Sequence, residues 1–340
     1  MKLVALDIGT NYTKVTKDGD SVTIFPSVVA YGEEKDWSLK GEEKDVYVGE
    51  EALTMIQSLE NVEAMRPLHE GRIMNQSYME LAKHAIRLMN TNPDVIATGM
   101  PVKSTKNERE ELSKDIKKQF NAEALIFPEP VGTLAHMGLN TGVCVDIGFG
   151  TTDVAVLYQM EYLKGDTLLV GVDWLYSNLE VIIRKNAGIN VTPEEITKLL
   201  TTPDYEVGRI RSGKSIKISH KDITSEYNKL LDGWLDRIAG RAKLIIEGLS
   251  TDIVNKIVLA GGGTLLPDVF EKFSESFEDV AKVVRPEDPL TSNAKGFYKL
   301  AKILCRKDEV KEVKETVEEK SEKGSKESRS KEKTKNESDG

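Results

Sequence analysis

The chain has 340 residues, more than one hydrophobic core usually serves, so two domains or one deeply cleft body are expected. Its formal net charge of -9 argues against duplex DNA as the main ligand, because binding phosphate directly needs a basic face. Cys144 and Cys305, in or at the end of apolar runs, read as small core residues in a reducing compartment, and the four scattered histidines match no zinc spacing.

The run Leu3 to Asp7 predicts a strand. It is too short for the apolar core of a secretion signal, so the cytoplasm is the expected compartment. No apolar stretch approaches the length of a membrane span. Tyr12 to Val15 and Ser21 to Phe25 extend the strand into a meander. From Met79 to Met89 the residues Leu81, Ala82, Ala85, Ile86 and Met89 recur at helical spacing. Val95 to Thr98 reads as a strand, Asn107 to Phe120 as a charged helix with Leu112, Ile116 and Phe120 on one face, and Ala124 to Phe127 as a strand stopped by Pro128. Val143 to Asp146 and Val154 to Tyr158 are strands divided by a Gly-Thr turn. Ser225 to Leu249 predicts a long helix with Leu230, Trp234, Ile238, Ala242, Ile245 and Leu249 inward, followed by a strand at Lys256 to Ala260. Strands and helices alternating in this way indicate an α/β fold. From about Lys307 the composition changes to ten Lys or Arg against eleven Asp or Glu with no aromatic residue, a polyampholyte tail that cannot bury a core. Val310, Val313 and Val317 have helical spacing, so the preceding helix is expected to run one or two turns into it.

One pattern occurs twice. Leu3-Val4-Ala5-Leu6-Asp7-Ile8-Gly9-Thr10 is echoed, 139 positions on, by Val143-Cys144-Val145-Asp146-Ile147-Gly148-Phe149-Gly150-Thr151-Thr152-Asp153. Each is an apolar strand ending in Asp, a turn rich in Gly and Thr, and a second β run. Glycines let backbone N–H groups approach phosphate oxygens and threonine hydroxyls add donors, so two such turns suit a phosphate clamp. Two unspent aspartates would repel phosphate directly; a divalent cation, Mg²⁺ held through water, is expected between them. A strand feeding Gly261-Gly262-Gly263-Thr264 then offers a flat backbone for a nucleoside.

With two phosphate turns and a late glycine turn in this order, the sequence resembles the superfamily of actin, heat-shock chaperones and sugar kinases. Tyr47-Val48-Gly49-Glu50-Glu51-Ala52, Arg66-Pro67-Leu68-His69-Glu70-Gly71, Phe127-Pro128-Glu129-Pro130 and Glu287-Asp288-Pro289-Leu290-Thr291 are similar to stretches of the bacterial actins of the MreB and MamK type. Asn293-Ala294-Lys295-Gly296-Phe297-Tyr298 resembles the ParM-like plasmid actins. The resemblance implies an actin-like ATPase fold of two related RNase H-like domains around a nucleotide cleft. The first comprises 1–138 with 291–306 and the second 139–290, leaving 307–340 as a tail.

The resemblance also implies roles. Asp7 and Asp146 organise the water shell of Mg²⁺. Gly9, Thr10, Asn11, Lys14, Gly148, Gly150, Thr151 and Asp153 line the ATP phosphates, and Gly261, Gly262 and Gly263 carry the adenosine. Glu129 orients the attacking water, since phosphoryl transfer depends mainly on positioning and charge stabilisation. Glu195 and Lys198 are the nearest candidates for ribose and adenine contacts.

The implied activity is ATP hydrolysis coupled to head-to-tail filament assembly, with the chain itself as main partner and no direct nucleic-acid or membrane-spanning role. An adaptor docked on the tail is a further expected partner. Organelle positioning of the magnetosome kind is the first expected task, with plasmid segregation and cell-shape control as alternatives. A chaperone needs a peptide-binding domain that the tail does not supply. A non-polymerising adaptor or a small-molecule kinase is the alternative class.

Overall fold

The computed structural model describes residues 1–31, 46–58, 63–69 and 72–306. The charged tail, its valine-spaced turns and its expected adaptor role lie outside the described residues, as does the end of the Arg66–Gly71 run. The chain divides into a large unit, Met1–Lys299, and a second unit, Leu300–Gly340, of which residues 300–306 are described and helical.

The large unit is built on two five-stranded sheets with one wiring diagram. In the first, β1 (Leu3–Ile8), β2 (Tyr12–Thr16) and β3 (Thr23–Pro26) form an antiparallel meander. A small sheet of β4 (Val29–Tyr31), β5 (Val46–Val48) and β6 (Glu63–Met65) and a hairpin of β7 (Leu68–His69) and β8 (Arg72–Ile73) follow. Then β9 (Val95–Met100) and β10 (Glu123–Pro128) add in parallel on the other side of β1, giving the order β10-β9-β1-β2-β3. In the second sheet, β11 (Gly142–Ile147), β12 (Thr152–Tyr158) and β13 (Glu161–Leu168) are the meander. After a separate hairpin of β14 (Glu206–Arg211) and β15 (Lys214–Ser219), β16 (Lys256–Ala260) and β17 (Lys282–Val284) add in parallel beside β11. The order is β13-β12-β11-β16-β17. The sequence repeat is thus a repeat of topology. The central strands β1 and β11 are buried along their whole lengths, as strands covered on both faces must be.

Helices α1 (Glu50–Ser58), α2 (Asn75–Met89), α3 (Lys106–Phe120) and α4 (Glu129–His136) belong to the first half. Helices α5 (Val172–Ala187), α6 (Pro193–Thr201), α7 (His220–Ile246) and α8 (Val269–Glu275) belong to the second, and residues 292–299 are also helical. The stripe Leu81, Ala82, Ala85, Ile86 and Met89 of α2 is buried as the spacing predicts, and α3 opens with a reciprocal Thr105–Glu108 capping box. Helix α7 begins five residues earlier than its periodicity suggests. Its buried face runs from Ile223 and Tyr227 through fully buried Trp234 to Ile246, while Leu230 is only partly buried and Leu249 lies past its end. Cys144 is core, as expected; Cys305 is only partly buried.

Candidate functional site

Both sheets direct their Asp-bearing strand ends and the turns that follow into one cavity of about 320 Å³, within the size range of small-molecule sites. From the first hairpin the lining comprises Asp7, Gly9, Thr10, Asn11, Tyr12 and Lys14; from the second, Asp146, Gly148, Phe149, Gly150 and Thr151. Glu129, at the start of α4, and Gly261, Gly262 and Gly263 complete the set. Every residue predicted for the metal, the phosphates, the glycine-rich third turn and the attacking water, except Asp153, therefore faces the same space.

The turns are shaped by their glycines. Gly261 has φ of 85°, the left-handed region that side chains avoid, and a Cβ there would collide with the Asp146 carboxylate. The third turn is thereby pressed directly against the second hairpin.

Asp153 departs from its expected role. It is 1% exposed, and its carboxylate accepts from the Val102 N–H (2.8 Å), the Thr167 hydroxyl (2.5 Å) and the Thr151 hydroxyl (3.1 Å). Its charge is spent on holding a first-half loop to the second sheet. The expectation of two aspartates with unspent charge also needs correcting, because Lys14 lies 3.1 Å from Asp7 inside the protein.

The electrostatics favour an added cation. Burial, then the carboxylates of Asp153, Asp7 and Asp146, push Glu129 well above the usual carboxylate range, with Lys14 pulling it back. Burial raises Asp146 to about 7; an Asn293 hydrogen bond opposes the shift, while Asp7 and Asp153 reinforce it. Acidic side chains crowded about one ammonium group fit a divalent ion. Among the described residues no three His, Cys, Asp or Glu side chains converge to hold an ion directly.

Several lining residues carry no short signal in the sequence. Tyr176 and Thr197 share a 2.8 Å hydrogen bond and, with Thr201, face the cavity from α5 and α6. Leu265, Leu266, Pro289 and Leu290 give it an apolar side. Glu195 and Lys198 are absent from the lining. Glu195 caps α6 through the Thr192 N–H and holds Arg209 with both oxygens at 2.8 Å, and Lys198 lies over the Tyr205 ring. On this helix Thr197 and Thr201, four residues apart, form the cavity-facing edge. Arg66 links the two Gly-Thr turns. Its guanidinium donates to the Thr10 carbonyl (3.2 Å) and Asn11 Oδ1 (2.9 Å), sits 5.7 Å from the Phe149 ring centroid and 3.9 Å from Glu194.

Comparison with known proteins agrees with this geometry. A family model described as MreB/Mbl protein matches residues 1–309. The cell shape-determining protein MreB of Escherichia coli K12 is 26% identical over 327 residues, covering 86% of this chain and 91% of its own length. MreB5 of Spiroplasma citri bound to ADP superposes with a TM-score of 0.73 at 22% identity, over 90% of this chain and 98% of that one. The MamK double helical filament gives 0.73 at 20% identity, over 88% and 98%. The duplicated sheets are an actin-like fold, and the chain belongs to the MreB/Mbl family of bacterial actin-like proteins.

Proposed function

We propose that this chain binds ATP with Mg²⁺ in the cavity, hydrolyses it, and assembles head-to-tail into a filament. The observation that carries the reading is the convergence of two topologically equivalent hairpins, each carrying Asp next to the end of a buried strand and turning through Gly and Thr, on one cavity with the triple glycine. The Gly150 N–H and the Thr10 hydroxyl suit phosphate oxygens and Lys14 adds positive charge, while the Gly9 and Gly148 N–H groups close their own turns on the Tyr12 and Thr151 carbonyls and leave the backbone open to close approach. Asp7 and Asp146 would hold the metal through its waters, and the ion would supply charge neutralisation to the phosphates. Glu129 stands beside them to accept from and orient a water in line with the terminal phosphate. The apolar side formed by Leu265, Leu266 and Leu290 suits adenine, and Tyr176, Thr197 and Thr201 suit the ribose edge. In this reading 1–138 with 291–306 and 139–290 act as two domains closing on the nucleotide.

A nucleotide is bound in the MreB5 neighbour and a filament is formed by the MamK one, which supports both halves of the proposal. Open assemblies follow from contacts that do not close on themselves. Sedimentation with ATP and Mg²⁺ tests the reading: pelletable filaments and phosphate release are expected. A chain that stays monomeric and releases no phosphate under all nucleotide conditions overturns it.

Of the tasks such a filament performs, a cell-shape role of the MreB kind has the better support. The family model and the E. coli relative favour it, whereas the likeness to MamK is a structural one at 20% identity that supports assembly but no particular cargo. We therefore place magnetosome positioning and plasmid segregation behind it. Restoration of rod shape in cells depleted of their own MreB is the expected result.

A further inference from the structure

We propose that Asn293 is a positioning residue that ties Asp146 to the helix carrying Glu129, keeping the metal-organising and water-orienting carboxylates at a fixed spacing. The proposal rests on the Mg²⁺·ATP reading of the site and concerns a residue with no assigned role in it.

The geometry is specific about how the amide is used. Asn293 is 8% exposed and lines the cavity. Its Oδ1 accepts from the Thr133 N–H at 3.1 Å and from the Thr133 hydroxyl at 2.8 Å. With two donors on one end, the other end must be the NH₂ group, and it donates to Asp146 Oδ2 at 2.6 Å. A flipped amide would set NH₂ against an N–H and face a carboxylate with an acceptor. The backbone N–H and the carboxylate therefore fix the same orientation, and the Thr133 hydroxyl is compatible with it.

The two helices involved pack backbone against backbone. A Cβ at Gly296 would collide with the Gly132 carbonyl, so the backbones of 292–299 and α4 touch directly. Beside that crossing, the hydroxyls of Thr133 and Ser292 share a 2.6 Å hydrogen bond. Thr133 follows Glu129 by four residues, one turn along α4 and on the same face. A continuous path of contacts thus runs from Glu129 through one helical turn, Thr133 and Asn293 to Asp146. A packing amide alone has no need to aim its NH₂ at a pocket-lining carboxylate.

The test uses the full chain. Asn293→Asp keeps size and the acceptor toward Thr133 but removes the donor and sets an oxygen against Asp146. Thr133→Val loosens the other end of the path and is used as well, because the first variant adds a buried charge. Binding of a fluorescent non-hydrolysable ATP analogue is titrated against Mg²⁺, alongside turnover of ATP. Loss of a hydrogen bond to a charged group predicts that Asn293→Asp raises the half-saturating Mg²⁺ concentration and lowers kcat by roughly 10- to 100-fold. Thr133→Val shifts both the same way by a smaller factor. A lower melting temperature with unchanged Mg²⁺ dependence and unchanged kcat in both variants identifies plain packing and overturns the proposal, leaving the ATPase reading intact. A wild-type chain that neither binds the analogue nor hydrolyses ATP overturns both.

Discussion

The Lys14 ammonium group lies 3.1 Å from the Asp7 carboxylate, directly opposite it across β1 and β2. At the equivalent register of the second hairpin, Asp146 faces Asp153 instead. The two halves share topology but not charge: one clamp carries its own counter-ion, and the other places two acidic groups on neighbouring strands. Removing one partner of a buried ion pair leaves the other uncompensated. Lys14→Met is therefore expected to destabilise the nucleotide-free protein by roughly 3–5 kcal/mol. Asp7→Asn in the same chain should restore much of that stability without restoring nucleotide affinity. Urea unfolding of the single and double variants, with a nucleotide titration of each, checks the pair.

Arg66 contacts both Gly-Thr turns, with two hydrogen bonds to the first and its planar group near the Phe149 ring of the second. The planar group, not only the charge, makes these contacts. Arg66→Lys is thus expected to behave like Arg66→Ala, and both to speed nucleotide release by about tenfold, the equivalent of ~1.4 kcal/mol. Stopped-flow displacement of a fluorescent nucleotide measures this. Full function in the Lys variant would show that charge alone suffices.

Much of the cavity lining could be read from local sequence because each Gly-Thr turn is a local device: strand, Asp, Gly and Thr follow one another within ten residues. The elements that stayed hidden lack that property. Strand β13 has a mostly polar sequence, and its deeply buried residues are Asp166 and Thr167, so no alternation of apolar residues marks it. The role of Asn293 depends on contacts with Thr133 and Asp146, which are 160 and 147 residues away in sequence. Glu195 misled for a related reason. A Glu three residues after Thr192 satisfies a helix cap, and that local use, together with Arg209, takes its carboxylate away from the cavity.

Glu129→Gln keeps shape and hydrogen-bonding capacity but removes the carboxylate. If Glu129 orients or deprotonates the attacking water, kcat should fall 10²- to 10⁴-fold, in the range of general acid–base contributions. Nucleotide binding and pelleting with ATP should persist, and filaments should last longer because they stay loaded with ATP. Single-turnover phosphate release gives the rate directly; unchanged turnover removes Glu129 from the chemistry. Asp146→Ala should instead weaken Mg²⁺-nucleotide binding, separating the two carboxylates by assay.

Asp166, on β13, lies 4% exposed between Lys103 of the first half and Arg241 of α7. Burial raises its pKa, but hydrogen bonds and attraction from Lys103 and Arg241 outweigh that and hold it below the usual carboxylate value. A carboxyl group whose pKa is depressed on folding stabilises the native state above its unfolded pKa, about 3.9 for Asp. That contribution fades as pH falls through the native value. Beside it, the Lys103 N–H donates to Thr167 and the Val102 N–H to Asp153, so this cluster fastens the loop after β9 to the second sheet. Asp166→Asn should therefore lower the melting temperature at pH 7, with the gap to wild type closing toward pH 3 and below. An undiminished gap at acid pH would assign the loss to packing instead. Because the fastening joins the two halves beside the cavity, the same variant should also loosen nucleotide binding at pH 7, and a titration at both pH values separates the two effects.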